Sequence, residues 1–158
     1  MIWNEGITGI VKTECGGKYV NEDYILAPKK DSSIPNYFVM ADGVGSTANS
    51  ELAAHAACYA VQKWIKKEMI KVKTWPIFEL MLHEAINHAN KKIIAINACT
   101  KYKGTSRSSS TTIDVCAFYG NHLYAGHVGD GRVYILKKTG DLELITQDEN
   151  AAWVNPEK

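Results

Sequence analysis

Between Asn49 and Ile96 the apolar residues recur at helical spacing, whereas on either side they come in short runs broken by turn residues. A chain whose hydrophobic period changes in this way must build helices between strands, because each period buries one face of only one kind of element. Leu52, Ala53, Ala56, Ala60, Val61, Trp64 and Ile65 form one stripe and predict a helix from about Asn49 to Met69. Trp75, Phe78, Leu82, Ala85, Ala89, Ile93 and Ile96 form a second, with Pro76 acceptable in a first turn where its missing N–H is not needed. The short link from Lys71 to Thr74 predicts that the two helices pack antiparallel. Before them, Gly6 to Lys12, Asp23 to Leu26 and Tyr37 to Ala41 read as strands. After them come Thr111 to Tyr119, Leu123 to Val128, Arg132 to Leu136 and Leu142 to Thr146, with hairpin turns at Gly120-Asn121 and Thr139-Gly140-Asp141. This order predicts an α+β fold in which a helix pair flanks layered, largely antiparallel sheets.

Composition narrows the function classes. With 158 residues, 46% hydrophobic and 22% charged, the chain fits one folded domain over residues 1–158 and excludes general disorder. Lys and Arg number 18 against 17 Asp and Glu, so the net charge of +1 provides no field for nucleic acid or an anionic membrane. No apolar run approaches the ~20 residues that cross a bilayer, and the first ten residues carry Asn4 and Glu5 rather than a basic leader, so a cytoplasmic protein is expected. Cys15, Cys58, Cys99 and Cys116 are scattered without a C-x-x-C pair and read as reduced structural thiols. His55, His83, His88, His122 and His127 include no H-E-x-x-H, and Gly43-Val44-Gly45 lacks the Lys-Ser/Thr of a P-loop. Zinc hydrolysis and nucleotide binding are therefore not expected. Lys63, Lys66, Lys67, Lys71 and Lys73 read as a solvated edge that complements the end of the first helix.

Chemistry concentrates at three acidic positions. Asn21-Glu22-Asp23 opens one predicted strand, and Asp42-Gly43-Val44-Gly45 closes another. Carboxylates on neighbouring strand ends converge, and a glycine beside an aspartate lets a backbone carbonyl approach an ion, so a site for Mg²⁺ or Mn²⁺ is physically reasonable. Asp130, in Gly129-Asp130-Gly131-Arg132, again lies between two strands, with His127 placed to help position the loop before it. Taken singly, each cluster also reads as an ordinary turn.

Together, in order and spacing, these pieces resemble the N-terminal part of the metal-dependent serine/threonine protein phosphatases, the PPM or type-2C family. The matching segments are Gly17-Lys18-Tyr19-Val20-Asn21-Glu22-Asp23, Phe38-Val39-Met40-Ala41-Asp42-Gly43-Val44-Gly45 running into Ser50-Glu51-Leu52-Ala53, Ser110-Thr111-Thr112, Ala125 to Tyr134, and Leu144-Ile145-Thr146-Gln147-Asp148. The resemblance implies a centre of two Mn²⁺ or Mg²⁺ ions whose activated water hydrolyses phosphoserine or phosphothreonine in a phosphoprotein substrate. It implies that Asp42 bridges the metals, that Gly43 offers its carbonyl, that Glu22 acts mainly through water and that Asp23 supports the ligands from behind. Asp130 corresponds to a residue near an additional, weaker metal position.

Departures from the family pattern carry their own expectations. Lys18 stands where the family usually has an arginine, so it can meet a phosphate as a point charge but cannot form a bidentate fork. The family's later metal-ligating aspartates, on a second Asp-Gly and an Asp-Asn motif, have no match here. The resemblance is thus to a truncated domain, which leaves three readings open. These are a fragment of an active phosphatase, a short protein completed by self-association through exposed sheet edges, and a catalytically incompetent module for binding or dimerisation.

Overall fold

The computed structural model describes residues 9–17, 19–27, 36–68, 74–101, 103–105, 107–119 and 121–149. Four strands, β1 (Asp23–Leu26), β2 (Tyr37–Asp42), β3 (Ile113–Tyr119) and β4 (His122–Val128), form one sheet in that spatial order, every neighbouring pair antiparallel. Two helices, α1 (Ser50–Glu68) and α2 (Trp75–Ala98), occupy the connection from β2 to β3. A separate hairpin of β5 (Tyr134–Leu136) and β6 (Leu142–Leu144) follows. The α+β layout with a helix pair against antiparallel strands is the one the sequence periods predict.

Alternation fixes which face of the sheet meets the helices. Val39 pairs with Val115 and Tyr37 with Ala117, and all four side chains are buried. Their neighbours Phe38, Met40, Cys116 and Phe118 therefore point to the opposite face, where Met40 is exposed. From α1 the core takes Ala53, Ala54, Ala57, Cys58, Val61 and Ile65, and from α2 it takes Phe78, Leu82, Ala85, Ala89 and Ile93. Alanines on both helices allow close approach, while Phe78 fills the remaining space with its ring 5.1 Å from that of Tyr119 and 4.9 Å from that of Tyr124.

Some sequence expectations shift. Leu52, placed on the buried stripe of the first helix, is exposed, because that face turns on the small residues Ala53, Ala54, Ala57 and Cys58 instead. Helix α1 starts at Ser50, since Asn49 adopts φ 55°, a left-handed conformation that asparagine tolerates. The expected strand from Gly6 to Lys12 lies partly outside the described residues, and residues 9–12 form no ladder. Ile10 is fully exposed there and Val11 is 40% exposed, so neither supplies a buried face to set a register. The turn at Thr139-Gly140-Asp141 is present, with Gly140 at φ 93° and the Lys137 N–H donating to the Asp141 carbonyl at 2.8 Å.

Phe78→Ala is expected to lower stability by about 3–5 kcal/mol in urea titration, whereas Leu52→Ala changes it by less than about 0.5 kcal/mol. Equal losses would mean that the core is not where these side chains place it.

Candidate functional site

The last residue of β2, Asp42, stands directly opposite the first residue of β1, Asp23. Ala41 is buried on the helix side, so Asp42 and its partner Asp23 share the other face. Like charges directly opposite on neighbouring strands repel one another. Glu22 precedes Asp23 and brings a third carboxylate to the same end of the sheet.

Three contacts hold these residues in place. The Gly43 N–H donates to the Glu22 carbonyl at 3.0 Å and closes β1 onto β2 beyond the regular ladder. A side chain at Gly43 would run into the carbonyls of Ser50 and Glu22, so only glycine lets the start of α1 come this close. Ser50, the buried first residue of α1, donates its hydroxyl to the Glu22 carboxylate at 2.6 Å. On the far side, the Thr112 hydroxyl accepts the Asp42 N–H at 3.0 Å, while the Thr112 N–H and the Thr111 hydroxyl both donate to the Asp42 carbonyl at 2.9 Å. The Asp42 backbone is thereby fixed from β3, and its carboxylate stands exposed at the sheet end.

A cavity of about 250 Å³ lies over this end, lined by Glu22, Asp23 and Asp42 together with Glu14, Cys15, Gly16, Val20 and Asn21. Glu14 is paired with Lys12 at 2.7 Å. A second cavity of about 340 Å³, between α2 and β3, is lined by isoleucines, asparagines and hydroxyls and holds no ionisable side chain. Carboxylates and a nearby backbone carbonyl are hard oxygen donors, and their chemistry fits Mg²⁺ or Mn²⁺. The number of donors fits less well. Among the described residues no group of three or more His, Cys, Asp or Glu is arranged to hold an ion by itself.

The remaining expected residues lie elsewhere. Lys18 falls outside the described residues. Asp130 is exposed in the turn after β4 and does not line the cavity. Its loop is nevertheless joined to Asp42, because Gly129, at φ 116°, packs on Thr112, the threonine that accepts the Asp42 N–H. Sequence reading did not single out Asp114, which is buried on β3 and sits 2.6 Å from the Nδ1 of His127. The register of β3 on β4 pairs the two directly, so the hairpin expected from the sequence, whose Gly120 lies outside the described residues, contained the signal. Arg132 forks onto Asp148 at 2.9 and 2.6 Å, and this hydrogen bonding holds the Asp148 carboxyl below its ordinary value despite the opposing effect of burial.

Comparison with known proteins bears on the family and the fold. A family model described as Protein phosphatase 2C matches residues 16–156. No curated protein sequence matches the chain. Among solved structures, the serine/threonine phosphatase PstP/Ppp of Mycobacterium tuberculosis superimposes with a TM-score of 0.68 at 25% identity, covering 89% of this chain and 53% of that one. A PstP catalytic domain in complex with two manganese ions gives 0.67 at 24% identity, over 89% of this chain and 54% of that one. Stp1 from Staphylococcus aureus gives 0.69 at 21% identity, over 84% and 50%. The chain spans about half the length of these structures.

Ser50→Ala leaves the half-buried Glu22 carboxylate short of a donor and is expected to cost about 1.5–3 kcal/mol in urea titration. A loss no larger than that of an exposed serine would mean that Ser50 does not anchor Glu22.

Proposed function

Because the chain belongs to the protein phosphatase 2C family, we propose that it serves the hydrolysis of phosphoserine or phosphothreonine in phosphoproteins, with the end of the sheet at Glu22, Asp23 and Asp42 as its cation-holding part. The observation that carries this reading is the pairing of Asp23 with Asp42 across β1 and β2. Two carboxylates opposed in this way repel unless a cation lies between or beside them.

In this reading Asp42 is the principal ligand and Gly43 adds its carbonyl. Glu22, oriented by Ser50, acts through water, and Asp23 supports Asp42 from the neighbouring strand. Lys18 meets the substrate phosphate as a point charge, so phosphate binding is weaker than an arginine fork would give. Asp130 belongs to a further, weaker cation position. What bound Mn²⁺ or Mg²⁺ supplies to such a centre is an acidified water and neutralisation of phosphoryl oxygens. With these carboxylates alone the remaining ligands are water, and the affinity for two ions is low.

The incomplete donor set favours a second reading, in which the chain is a catalytically incompetent phosphatase-like module that binds a phosphoprotein or self-associates. The exposed Met40, Leu136 and Leu142 would serve such contacts. None of the helices among the described residues is long and apolar enough to cross a membrane.

Calorimetric titration with Mn²⁺, alongside hydrolysis of a small aryl phosphate, separates these readings. The phosphatase reading predicts metal-dependent turnover, with both binding and turnover lost in Asp42→Asn. Mn²⁺ binding without turnover, in folded protein, favours the module. Metal-independent turnover, or unchanged Mn²⁺ binding in Asp42→Asn, would overturn the site.

A further inference from the structure

We propose that His127 is a positioning residue that acts as a doubly protonated imidazolium, tying Asp114 on β3 to the carbonyl of Gln147 and so holding segment 145–149 across the loop that carries Asp130. The inference rests on what the two ring nitrogens face. Nδ1 lies 2.6 Å from a carboxylate oxygen of Asp114, and Nε2 lies 3.1 Å from the Gln147 carbonyl oxygen. A neutral imidazole has one N–H donor and one acceptor, whereas a carbonyl oxygen only accepts. Satisfying both contacts therefore takes two protons on the His127–Asp114 pair. Placing one of them on the carboxyl instead leaves that count unchanged.

Burial makes the arrangement consequential. The side chains of His127 and Asp114 are 11% and 5% exposed, and the second Asp114 oxygen is buried with no hydrogen-bond partner. A buried carboxylate in that condition depends on a neighbouring positive charge, and His127 is the cross-strand residue able to supply it. That second oxygen points at Gly131, where a side chain would collide with it. A Cβ at position 131 would therefore require the Asp114 carboxylate to shift.

Segment 145–149 then runs alongside the loop. The Ile145 N–H donates to the Val133 carbonyl at 2.9 Å, the Val133 N–H donates to the Thr146 hydroxyl at 3.1 Å, and the Glu149 N–H donates to the Gly129 carbonyl at 2.5 Å. Arg132 grips Asp148 from the exposed side. His127 is the link that joins this strap to the four-stranded sheet.

The charged groups near the ring are of both signs, with the carboxylates of Asp114 and Asp148 favouring a charged imidazole and Arg132 engaged by Asp148. Asp114 and Cys116 come from β3, Asp148 from the strap and Arg132 from the loop. Burial works against the charged ring, yet the hydrogen bond and charge of Asp114, with the carbonyls of Gly129 and Gln147, hold the His127 pKa above its ordinary value. For a group raised on folding, the stabilisation is complete below the unfolded value of about 6.5 and is lost as pH rises through the higher folded value. The contribution of His127 to holding the strap is therefore present at low pH and is lost as pH rises through the raised His127 titration.

Side-chain NMR of the imidazoles, with amide hydrogen exchange corrected for its intrinsic pH dependence, tests this on the whole chain without reference to catalysis. The expected result is a His127 ring protonated on both nitrogens at pH 6.5 and titrating above the ordinary histidine value, with protection at Ile145 and Glu149 falling about tenfold or more across that titration. Asp114→Asn keeps an acceptor but removes the charge, so it should lower the His127 pKa and move the loss of protection to lower pH. In His127→Gln the protection should no longer depend on pH over this range. A His127 ring that is neutral at pH 6.5, or strap protection that ignores its titration in the unaltered protein, would overturn the proposal whether or not either variant folds.

Discussion

The site depends on the absence of a side chain at Gly43. The residue occupies the point where β2 leaves the sheet, where β1 closes onto it through the Glu22 carbonyl and where the first residue of α1 presses its own carbonyl against the chain. A Cβ there would separate the helix from the strand. Because none is present, Ser50 reaches the Glu22 carboxylate, and the register that opposes Asp23 to Asp42 is held to the end of the strands. A local steric condition thus sets the positions of three carboxylates.

That condition is supported from two sides. Alanines on α1 let the helix lie close on β2 and β3, so the start of the helix is carried to the sheet end by the same packing that forms the core. From β3, Thr111 and Thr112 fix the Asp42 backbone through their hydroxyls and amides. Thr112 also contacts Gly129, which connects the acidic end of the sheet to the Asp130 loop and, beyond it, to the buried pair of Asp114 and His127. Two polar regions that are far apart in sequence share one threonine.

Much of this was legible in the sequence for a physical reason. Helix and strand periods are read residue by residue, so α1, α2 and the hairpin strands follow from the pattern of apolar residues. Asp42 and Glu22 stand out in the sequence because turn residues and carboxylates at strand ends are local signals, and the structure brings them to one end of the sheet. Asp114 escaped because an acid between Ile113 and Val115 looks like an outward-facing polar residue of an ordinary alternating strand. Only pairing with β4 places His127 opposite it, and only the strap and Gly131 bury it. Leu52 misled because periodicity does not say which edge of a stripe a sheet will cover, and here small residues settled that question. Residues 9–12 look like a strand by composition but join no ladder among the described residues.

The central claim is that the sheet end at Glu22, Asp23 and Asp42 is a seat for a divalent cation. Paramagnetic broadening of backbone amide resonances by substoichiometric Mn²⁺ tests it most directly, because the effect falls steeply with distance and needs no turnover. The account predicts that the amides of Glu22, Asp23, Asp42 and Gly43 broaden first, that those of the exposed α2 residues Lys91 and Lys92 do not, and that excess Mg²⁺ reverses the effect. Broadening spread evenly over exposed carboxylates, or centred on Asp141 and Glu143 of the β5–β6 hairpin, would contradict it.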